Sequence, residues 1–148
     1  MDQIKRMTTS QRYDVLDLWF RCTTKENPFI EENFWQKHYD EVKNNYLTGR
    51  DNYVYMIDGN IAGFICITNK NFIKGLFVDP TYRNRGIGGK LMQFAKQTYK
   101  VLHVNVYTKN RTMLAFSTHM GFEIDGALLH RDTGEIRYRM IWSEKKNA

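Results

Sequence analysis

The spacing of apolar residues changes repeatedly along this chain, and each change marks a predicted strand or helix. Strict alternation over residues 101–107 predicts a strand with one apolar face. Helical spacing of the apolar residues between Val15 and Cys22 predicts a helix, and Thr8 precedes Gln11 at the spacing of a capping box. One apolar stripe predicts a second helix from Glu31 to about Leu47.

Turn signals complete the order of elements. Asp58-Gly59 is typical of a hairpin turn, Pro80 ends an apolar run, and Gly121 is expected to end a short helix. The other predicted strands are 3–7, 53–57, 61–67, 72–78, 122–129 and 135–142, and the other predicted helices are 86–99 and 112–119. The order β-α-α-β-β-β-α-β-α-β-β predicts an α/β sandwich built on a mixed sheet.

Length and composition indicate one ordinary globular domain over residues 1–148, because 42% of the residues are apolar and 26% are charged. The sequence contains no long apolar run and no recognisable signal peptide, so we expect a cytoplasmic protein without a membrane segment. Cys22 and Cys66 lack metal-type spacing and are expected to be reduced packing residues; no metal is expected. The net charge of +6 is compatible with a nucleic-acid surface, with anionic small molecules, or with a solvated excess of charge.

The most informative segment is residues 75–92. An apolar run over 76–78 predicts a buried strand, a basic loop with three glycines follows, and helical spacing resumes after Lys90. A strand, a glycine-rich loop and a helix in this order direct the free N–H groups of the helix start at one point. The segment is therefore expected to hold phosphate.

Two common phosphate motifs do not fit this loop. A P-loop requires Ser or Thr after its Gly-Lys pair, but Leu91 follows Gly89-Lys90. The dinucleotide fingerprint requires a third glycine where Leu91 stands, and it belongs to a first βα unit near the start of a domain. Both alternatives are therefore rejected.

The pattern Arg83-x-x-Gly86-x-Gly88, after Leu76-Phe-Val-Asp-Pro80, resembles the acetyl-coenzyme A signature of the GNAT superfamily of N-acetyltransferases. Asn105-Val-Tyr-Thr-Lys-Asn110 and the later Phe116 and Gly121-Phe122 are similar to further segments of that family. The predicted element order agrees as well, so the resemblance covers nearly the whole chain and is closest to small bacterial single-domain members. It implies a sheet of about seven strands with about four helices, in which the central strands 72–78 and 101–107 splay apart.

The resemblance also implies where acetyl-CoA, the cosubstrate, would bind. The backbone of the strand before the loop would hold the pantetheine arm, one of its N–H groups would polarise the acetyl carbonyl, and the loop amides would hold the pyrophosphate. Asn110 would contact the arm, although a loop-capping role for this residue is equally compatible with its sequence context. The implied cofactor-binding residues are Leu76, Phe77, Val78, Arg83, Arg85, Gly86, Ile87, Gly88, Gly89, Lys90 and Asn110.

The chain departs from the family pattern at Ser117. The family usually has a tyrosine there that protonates the departing thiolate, and a serine cannot replace a phenol in this role. Because a thiolate of this kind leaves readily, activity is expected but is expected to be slow. Two residues are candidates to supply this proton instead. Tyr107 lies on the Asn105 face of the splayed strand, and Ser117 would act by holding a water.

The acceptor is expected to be a primary amine on a small molecule, a protein lysine or a protein N-terminus, attacking directly in a ternary complex. Four residues lie where the family builds its acceptor site, but no one of them is singled out as the base: Glu31, Glu32, His38 and Tyr46. Phe29 and Phe34 are candidates to line a cleft there. A catalytically weak CoA-binding sensor is the alternative function. Nucleic-acid binding is not expected, because no aromatic-basic stacking motif is present. The sequence is compatible with a homodimer.

Overall fold

The computed structural model of the chain describes residues 3–49, 51–68 and 71–144. Within these residues seven strands form one mixed sheet, in the order β1-β2-β3-β4-β5-β7-β6. The strands are β1 (Gln3–Arg6), β2 (Asn52–Ile57), β3 (Asn60–Thr68), β4 (Phe72–Val78), β5 (Val101–Tyr107), β6 (Glu123–His130) and β7 (Glu135–Ser143). The α-helices are α1 (Arg12–Glu26), α2 (Glu32–Lys37), α3 (Tyr39–Glu41), α4 (Ile87–Thr98) and α5 (Arg111–His119). The predicted α/β class and the seven-stranded mixed sheet are confirmed.

Hydrophobic cores lie on both faces of the sheet. On one face, Leu91 and Met92 of α4 pack with Leu102 of β5 in a fully buried cluster. On the other face, Leu16 of α1 and Trp35 of α2 pack in a second cluster. The alternation predicted for β5 explains this division, because Leu102, Val104 and Val106 enter the first cluster while Tyr107 packs against the second.

The central strands β4 and β5 separate soon after they meet. Their parallel pairing joins only Phe72 with His103 and Ile73 with Val104. Lys74 is an extra residue in β4, because Ile73 and Gly75 face consecutive residues of β3. Beyond this bulge the edge of β4 that faces β5 has no strand partner. The predicted splayed pair is confirmed.

The predicted helix over Glu31–Leu47 was wrong as one continuous element. It is divided at His38, whose N–H donates to the Trp35 carbonyl at 3.2 Å and whose ring Nδ1 lies 2.8 Å from the Phe34 carbonyl oxygen. After α3, residues 42–46 form a π-helical turn, closed by the Leu47 N–H donating to the Val42 carbonyl at 3.0 Å. These contacts depend on backbone geometry that an apolar stripe does not encode.

None of the helices in the described residues combines the length and the apolar character needed to cross a bilayer. The described part of the chain also contains no group of three or more His, Cys, Asp or Glu side chains placed to hold a metal ion.

Candidate active site

Helix α4 begins directly after the glycine-rich loop, and its first N–H groups have no partner within the helix. The first helical hydrogen bond is donated by the Lys90 N–H to the Gly86 carbonyl, at 3.0 Å. The N–H groups of residues 86–89 precede this bond, and the positive end of the helix dipole lies at the same place. The start of α4 is therefore suited to an anion.

Two glycines of this loop have different structural roles. Gly86 has a φ of 73°, in the left-handed region that favours glycine, and Asn84 has a φ of 63°. At Gly88 a Cβ would lie 3.4 Å from the Phe116 ring and 3.8 Å from Val78, which are ordinary packing distances. The loop thus needs glycine for backbone conformation at Gly86, while Gly88 lies against the Phe116 ring.

A cavity of about 750 Å³, here called the loop cavity, opens beside the start of α4. Its lining includes four cationic side chains and a single carboxylate: Lys25, Arg83, Lys109, Arg111 and Glu26. This excess of positive charge and the free N–H groups together fit a ligand that carries phosphate groups.

Most of the predicted cofactor-binding residues line the loop cavity: Leu76, Val78, Arg83, Gly86, Ile87, Gly88, Gly89 and Asn110. Three others lie elsewhere. The Arg85 guanidinium lies 5.3 Å from the centroid of the Tyr82 ring, and the Lys90 Nζ donates to the Tyr55 Oη at 3.3 Å. Phe77 lines a second cavity instead.

The second cavity, of about 420 Å³, is here called the inner cavity and lies between β4, β5 and the helices α1 and α2. Aromatic residues form much of its wall: Trp19, Phe34, Trp35, Tyr46, Phe64, Phe77 and Tyr107. Three acidic residues, Glu26, Glu41 and Asp132, and two cations, Lys74 and Arg137, also line it. Such a space can hold an apolar chain that carries a charged end.

The two cavities share four lining residues: Glu26, Leu76, Asn110 and Met113. Leu76 lies on β4 beyond the point where this strand separates from β5. The two cavities therefore adjoin beside the gap between the splayed strands.

Asn110 has the capping role that was one of the two alternatives compatible with its sequence context, and it also lines both cavities. Its Oδ1 accepts a hydrogen bond from the Met113 N–H at 3.1 Å and so caps α5. Its Nδ2 donates to Oδ1 of the buried Asn27 at 3.2 Å. This bond places Asn110 where the two cavities meet.

Tyr107 lies in the wall of the inner cavity, half-buried, at the end of β5. Its ring contacts Phe29 edge-on at a centroid distance of 5.7 Å, and its Oη lies 3.1 Å from Nδ1 of His130. Burial raises the pKa of the Tyr107 phenol, and Arg137 partly opposes this effect. The phenol is therefore protonated at neutral pH and can act as a donor.

Ser117 is fully buried and lines neither of these two cavities. Its Oγ has no hydrogen-bond partner among the described residues. Phe116, the preceding residue, lines the loop cavity instead. The structure thus does not bring Ser117 to the gap between β4 and β5, and the prediction that it holds a catalytic water has no geometric support.

Two titratable groups border the inner cavity, the half-buried Glu26 and the buried Cys66. Burial raises the pKa of the Glu26 carboxyl, and Arg83 partly opposes the change. Burial also raises the pKa of the Cys66 thiol, to about 12. At neutral pH this thiol is protonated and therefore a poor nucleophile.

Of the residues named for the acceptor side, His38, Tyr46 and Phe34 line the inner cavity, and Phe29 lines the loop cavity. Glu31 and Glu32 are exposed and line neither. The sequence did not identify the contributions of the last two strands and their turn: His130, Asp132 and Arg137. No local motif marks these residues, because sheet topology alone brings β7 beside β5.

The fold and the two adjoining cavities are typical of proteins that bind a phosphate-bearing cofactor at the start of a helix. In such proteins the reactive end of the cofactor lies between two splayed strands. A sequence model of the acetyltransferase (GNAT) family matches residues 12–122. The peptidyl-lysine N-acetyltransferase YiaC of Escherichia coli is 33% identical over 139 residues, which cover 94% of this chain and 95% of that protein.

Solved structures agree in fold. The solution structure of apo-form YjaB from Escherichia coli has a TM-score of 0.83 at 19% identity, over 96% of this chain and 97% of that one. The crystal structure of PaiA N-acetyltransferase from Thermoplasma acidophilum in complex with coenzyme A has a TM-score of 0.77 at 16% identity, over 97% and 99%.

The chain belongs to the GNAT family of acetyltransferases. It transfers an acetyl group from acetyl-CoA to a primary amine. The alternative of a catalytically weak CoA-binding sensor is not favoured by these relationships.

Proposed function

We propose that the acceptor is the side-chain amine of a lysine in a peptide or protein. The observation that carries the proposal is the connection of the inner cavity with the loop cavity at Leu76 and Asn110. The curated name of YiaC, peptidyl-lysine N-acetyltransferase, supports the same acceptor because the likeness extends over 94% of this chain.

The lining of the inner cavity suits a lysine side chain. Its aromatic rings, among them Phe34, Trp35 and Tyr46, offer apolar surface to the four methylene groups of the stem. Glu41 and Asp132 supply negative charge that attracts the ammonium group. A lysine whose methylene groups lie along these rings brings its side-chain nitrogen toward the gap between β4 and β5.

The residues of the loop cavity fit the anionic part of acetyl-CoA. The N–H groups of residues 86–89 and the Arg83 side chain would hold its phosphates, and the unpaired edge of β4 over residues 76–78 would hold its pantetheine arm. When bound, the cofactor supplies an activated acetyl group as a thioester. The protein contributes orientation and exclusion of water.

Transfer occurs directly from the thioester to the amine, without an acetylated protein side chain. Cys66 is the one cysteine in the inner cavity, and its burial, which raises the pKa of the thiol to about 12, argues against a covalent role. Replacement Cys66→Ala is accordingly expected to keep transfer activity.

Tyr107 serves as the proton donor to the departing thiolate in place of the family tyrosine. Its position in the inner cavity wall and the raised pKa of its phenol support this role. Ser117 is not given this role, because its buried side chain lines neither cavity.

The acceptor is tested with acetyl-CoA and three versions of one peptide. The first has a free lysine and a blocked N-terminus, the second has arginine in place of lysine, and the third has a free N-terminus and no lysine. Thiol release and mass spectrometry should show an added acetyl group on the first peptide only. Acetylation of the third peptide alone would overturn the lysine assignment.

The proposal extends to a cytoplasmic location and a homodimer. Two buried, unpaired cysteines, Cys22 and Cys66, support a reducing compartment. Strand β6 lies at the edge of the sheet, and Leu128 and Leu129 are 60% and 58% exposed, which supports an apolar contact with a second copy. Sedimentation velocity should show a dimer for the wild type and a monomer for Leu128→Glu; a monomeric wild type would contradict the homodimer.

A further inference from the structure

His130 ends β6 and lines the inner cavity beside Tyr107. Its side chain is 21% exposed, so the ring can contact both an acceptor in the cavity and solvent. Phe34 packs edge-on against the imidazole at a centroid distance of 6.1 Å. The ring is thus held in place by an aromatic neighbour while remaining accessible.

Two hydroxyl groups lie beside Nδ1 on one side of the His130 ring. Nδ1 lies 3.0 Å from Thr133 Oγ1 and 3.1 Å from Tyr107 Oη. The Thr133 hydroxyl donates its own proton to the His130 carbonyl at 3.3 Å, so its oxygen is free to accept from Nδ1–H. We assign the Nδ1–H tautomer on this basis, and Nε2 then carries the lone pair.

Most of the groups around the ring favour its neutral form, and one carboxylate favours the imidazolium. Burial lowers the pKa of His130, and Arg137, Lys74 and His38 lower it further. Asp132 acts in the opposite direction, because its Oδ2 lies 3.9 Å from Nε2. Tyr107, on β5, is a neutral neighbour, since burial raises the pKa of its phenol.

We propose that Nε2 of His130 is the base that removes a proton from the ammonium group of the acceptor. The step converts the ammonium into a free amine and the neutral imidazole into an imidazolium, whose new N–H faces the Asp132 carboxylate. The imidazolium then releases the proton to solvent, to which the ring is partly open. This assignment rests on the proposed function of the inner cavity as the acceptor site.

Other groups in the inner cavity are less suited to this step. Glu41 accepts a hydrogen bond from the Tyr46 hydroxyl at 3.3 Å, and Glu26 interacts with Arg83 at the border of the loop cavity. The His38 Nδ1 lies 2.8 Å from the Phe34 carbonyl oxygen, and this contact divides α2 from α3. His130 alone combines a fixed tautomer, a lone pair and a nearby carboxylate among the described residues of this cavity.

The test compares kcat/KM as a function of pH for the wild type, His130→Gln and the matched control His119→Gln. His119 is exposed at the end of α5 and lines neither cavity. The wild type should lose activity as the pH falls through the pKa of His130, which burial and the neighbouring cations hold below the usual imidazole value of about 6.5. His130→Gln should be slower by about 100-fold or more near neutral pH. Because only the unprotonated amine can then react, its activity should rise steadily with pH and lack the plateau that the wild type reaches once His130 is neutral.

Three readouts separate catalysis from structure. Coenzyme A affinity and Tm of His130→Gln should match the wild type, and added imidazole should partly restore the activity of His130→Ala. A His130→Gln enzyme within threefold of the wild type, or one that keeps the wild-type pH profile with its plateau, would overturn the assignment.

The peptide assay with the wild-type enzyme is performed first, and it decides whether lysine is the acceptor without any reference to His130. The pH comparison then uses whichever amine the wild type acetylates, so a failure of the lysine acceptor and a failure of His130 give different results.

Discussion

The Nδ2 of Asn110 donates a hydrogen bond to the Oδ1 of Asn27 at 3.2 Å, and this bond joins two helix ends at the border of the two cavities. Asn27 follows α1, where its Nδ2 donates to the Thr23 carbonyl at 3.0 Å. Asn110 precedes α5 and caps it. One pair of amides therefore connects the end of α1, the start of α5 and the junction through which the cofactor would reach the acceptor.

We expect the two asparagines to contribute to stability as a coupled pair. Asn27→Ala and Asn110→Ala should each lower the free energy of unfolding by about 1 to 3 kcal/mol, because each leaves polar groups without partners. The double variant should be less destabilised than the sum, by about 0.5 kcal/mol or more. Urea denaturation measures all three values, with exposed Asn45→Ala as a control expected to stay within about 0.5 kcal/mol of the wild type. Strict additivity would contradict the coupling.

The structure predicts opposite outcomes for the two candidate catalytic residues. Ser117→Ala removes a buried hydroxyl that has no partner among the described residues, so it should keep the wild-type rate and gain up to about 1 kcal/mol in stability. Tyr107→Phe should lower the acetyl-transfer rate by about 100-fold without changing coenzyme A affinity. Steady-state kinetics and calorimetry decide between them. Wild-type rates for both variants would remove Tyr107 from the mechanism.

A carboxylate at the start of α4 should weaken coenzyme A binding strongly. Gly88→Glu adds a negative charge beside Phe116 and the phosphate-binding N–H groups, and an increase in Kd of about 100-fold corresponds to about 2.7 kcal/mol. Gln97→Glu adds the same charge to an exposed position of the same helix and should bind normally. Isothermal titration calorimetry measures both affinities, and thermal unfolding without ligand verifies that both variants fold. Equal affinities for the two variants would show that the loop does not hold the phosphates.

Glu26→Gln should change how stability depends on pH. The folded state raises the pKa of the Glu26 carboxyl, so its contribution to stability is greatest below the unfolded carboxyl pKa of about 4.3 and is lost as the pH rises through the raised value. The variant has no ionisable group at this position. Its Tm should therefore exceed that of the wild type at pH 7, by a margin that shrinks toward pH 4. Replacement of the exposed Glu32 by Gln should show no such trend. If the Tm difference between Glu26→Gln and the wild type grows as the pH falls, the raised pKa of the Glu26 carboxyl is contradicted.

The sequence predicted the sheet well because its strands carry their burial pattern locally. In β5 the apolar residues Leu102, Val104 and Val106 are buried and the residues between them are half-buried, as strict alternation requires. The prediction was wrong over Glu31–Leu47, because the contact between the His38 ring and the Phe34 carbonyl is invisible in an apolar stripe. Local periodicity thus determines the type of element but not an interruption within it.

The part of the candidate site that lies in one continuous segment of the chain could be predicted from the sequence. The spacing of Gly86 and Gly88 predicted a loop suited to phosphate, and both glycines line the loop cavity. Lys90 was expected to add charge there, yet its ammonium group donates to the Tyr55 hydroxyl of β2. His130 is far from the loop in sequence and lines the inner cavity only because β6 pairs with β7 and β7 with β5. Such long-range pairing cannot be inferred from the residues near it.

The most direct measurement is a crystal structure of the protein with bound acetyl-CoA. The account predicts that the diphosphate accepts hydrogen bonds from the N–H groups of residues 86–89 and that the thioester lies between Leu76 of β4 and Asn110. A structure with the diphosphate bound away from the start of α4, or with the thioester outside the gap between β4 and β5, would contradict it.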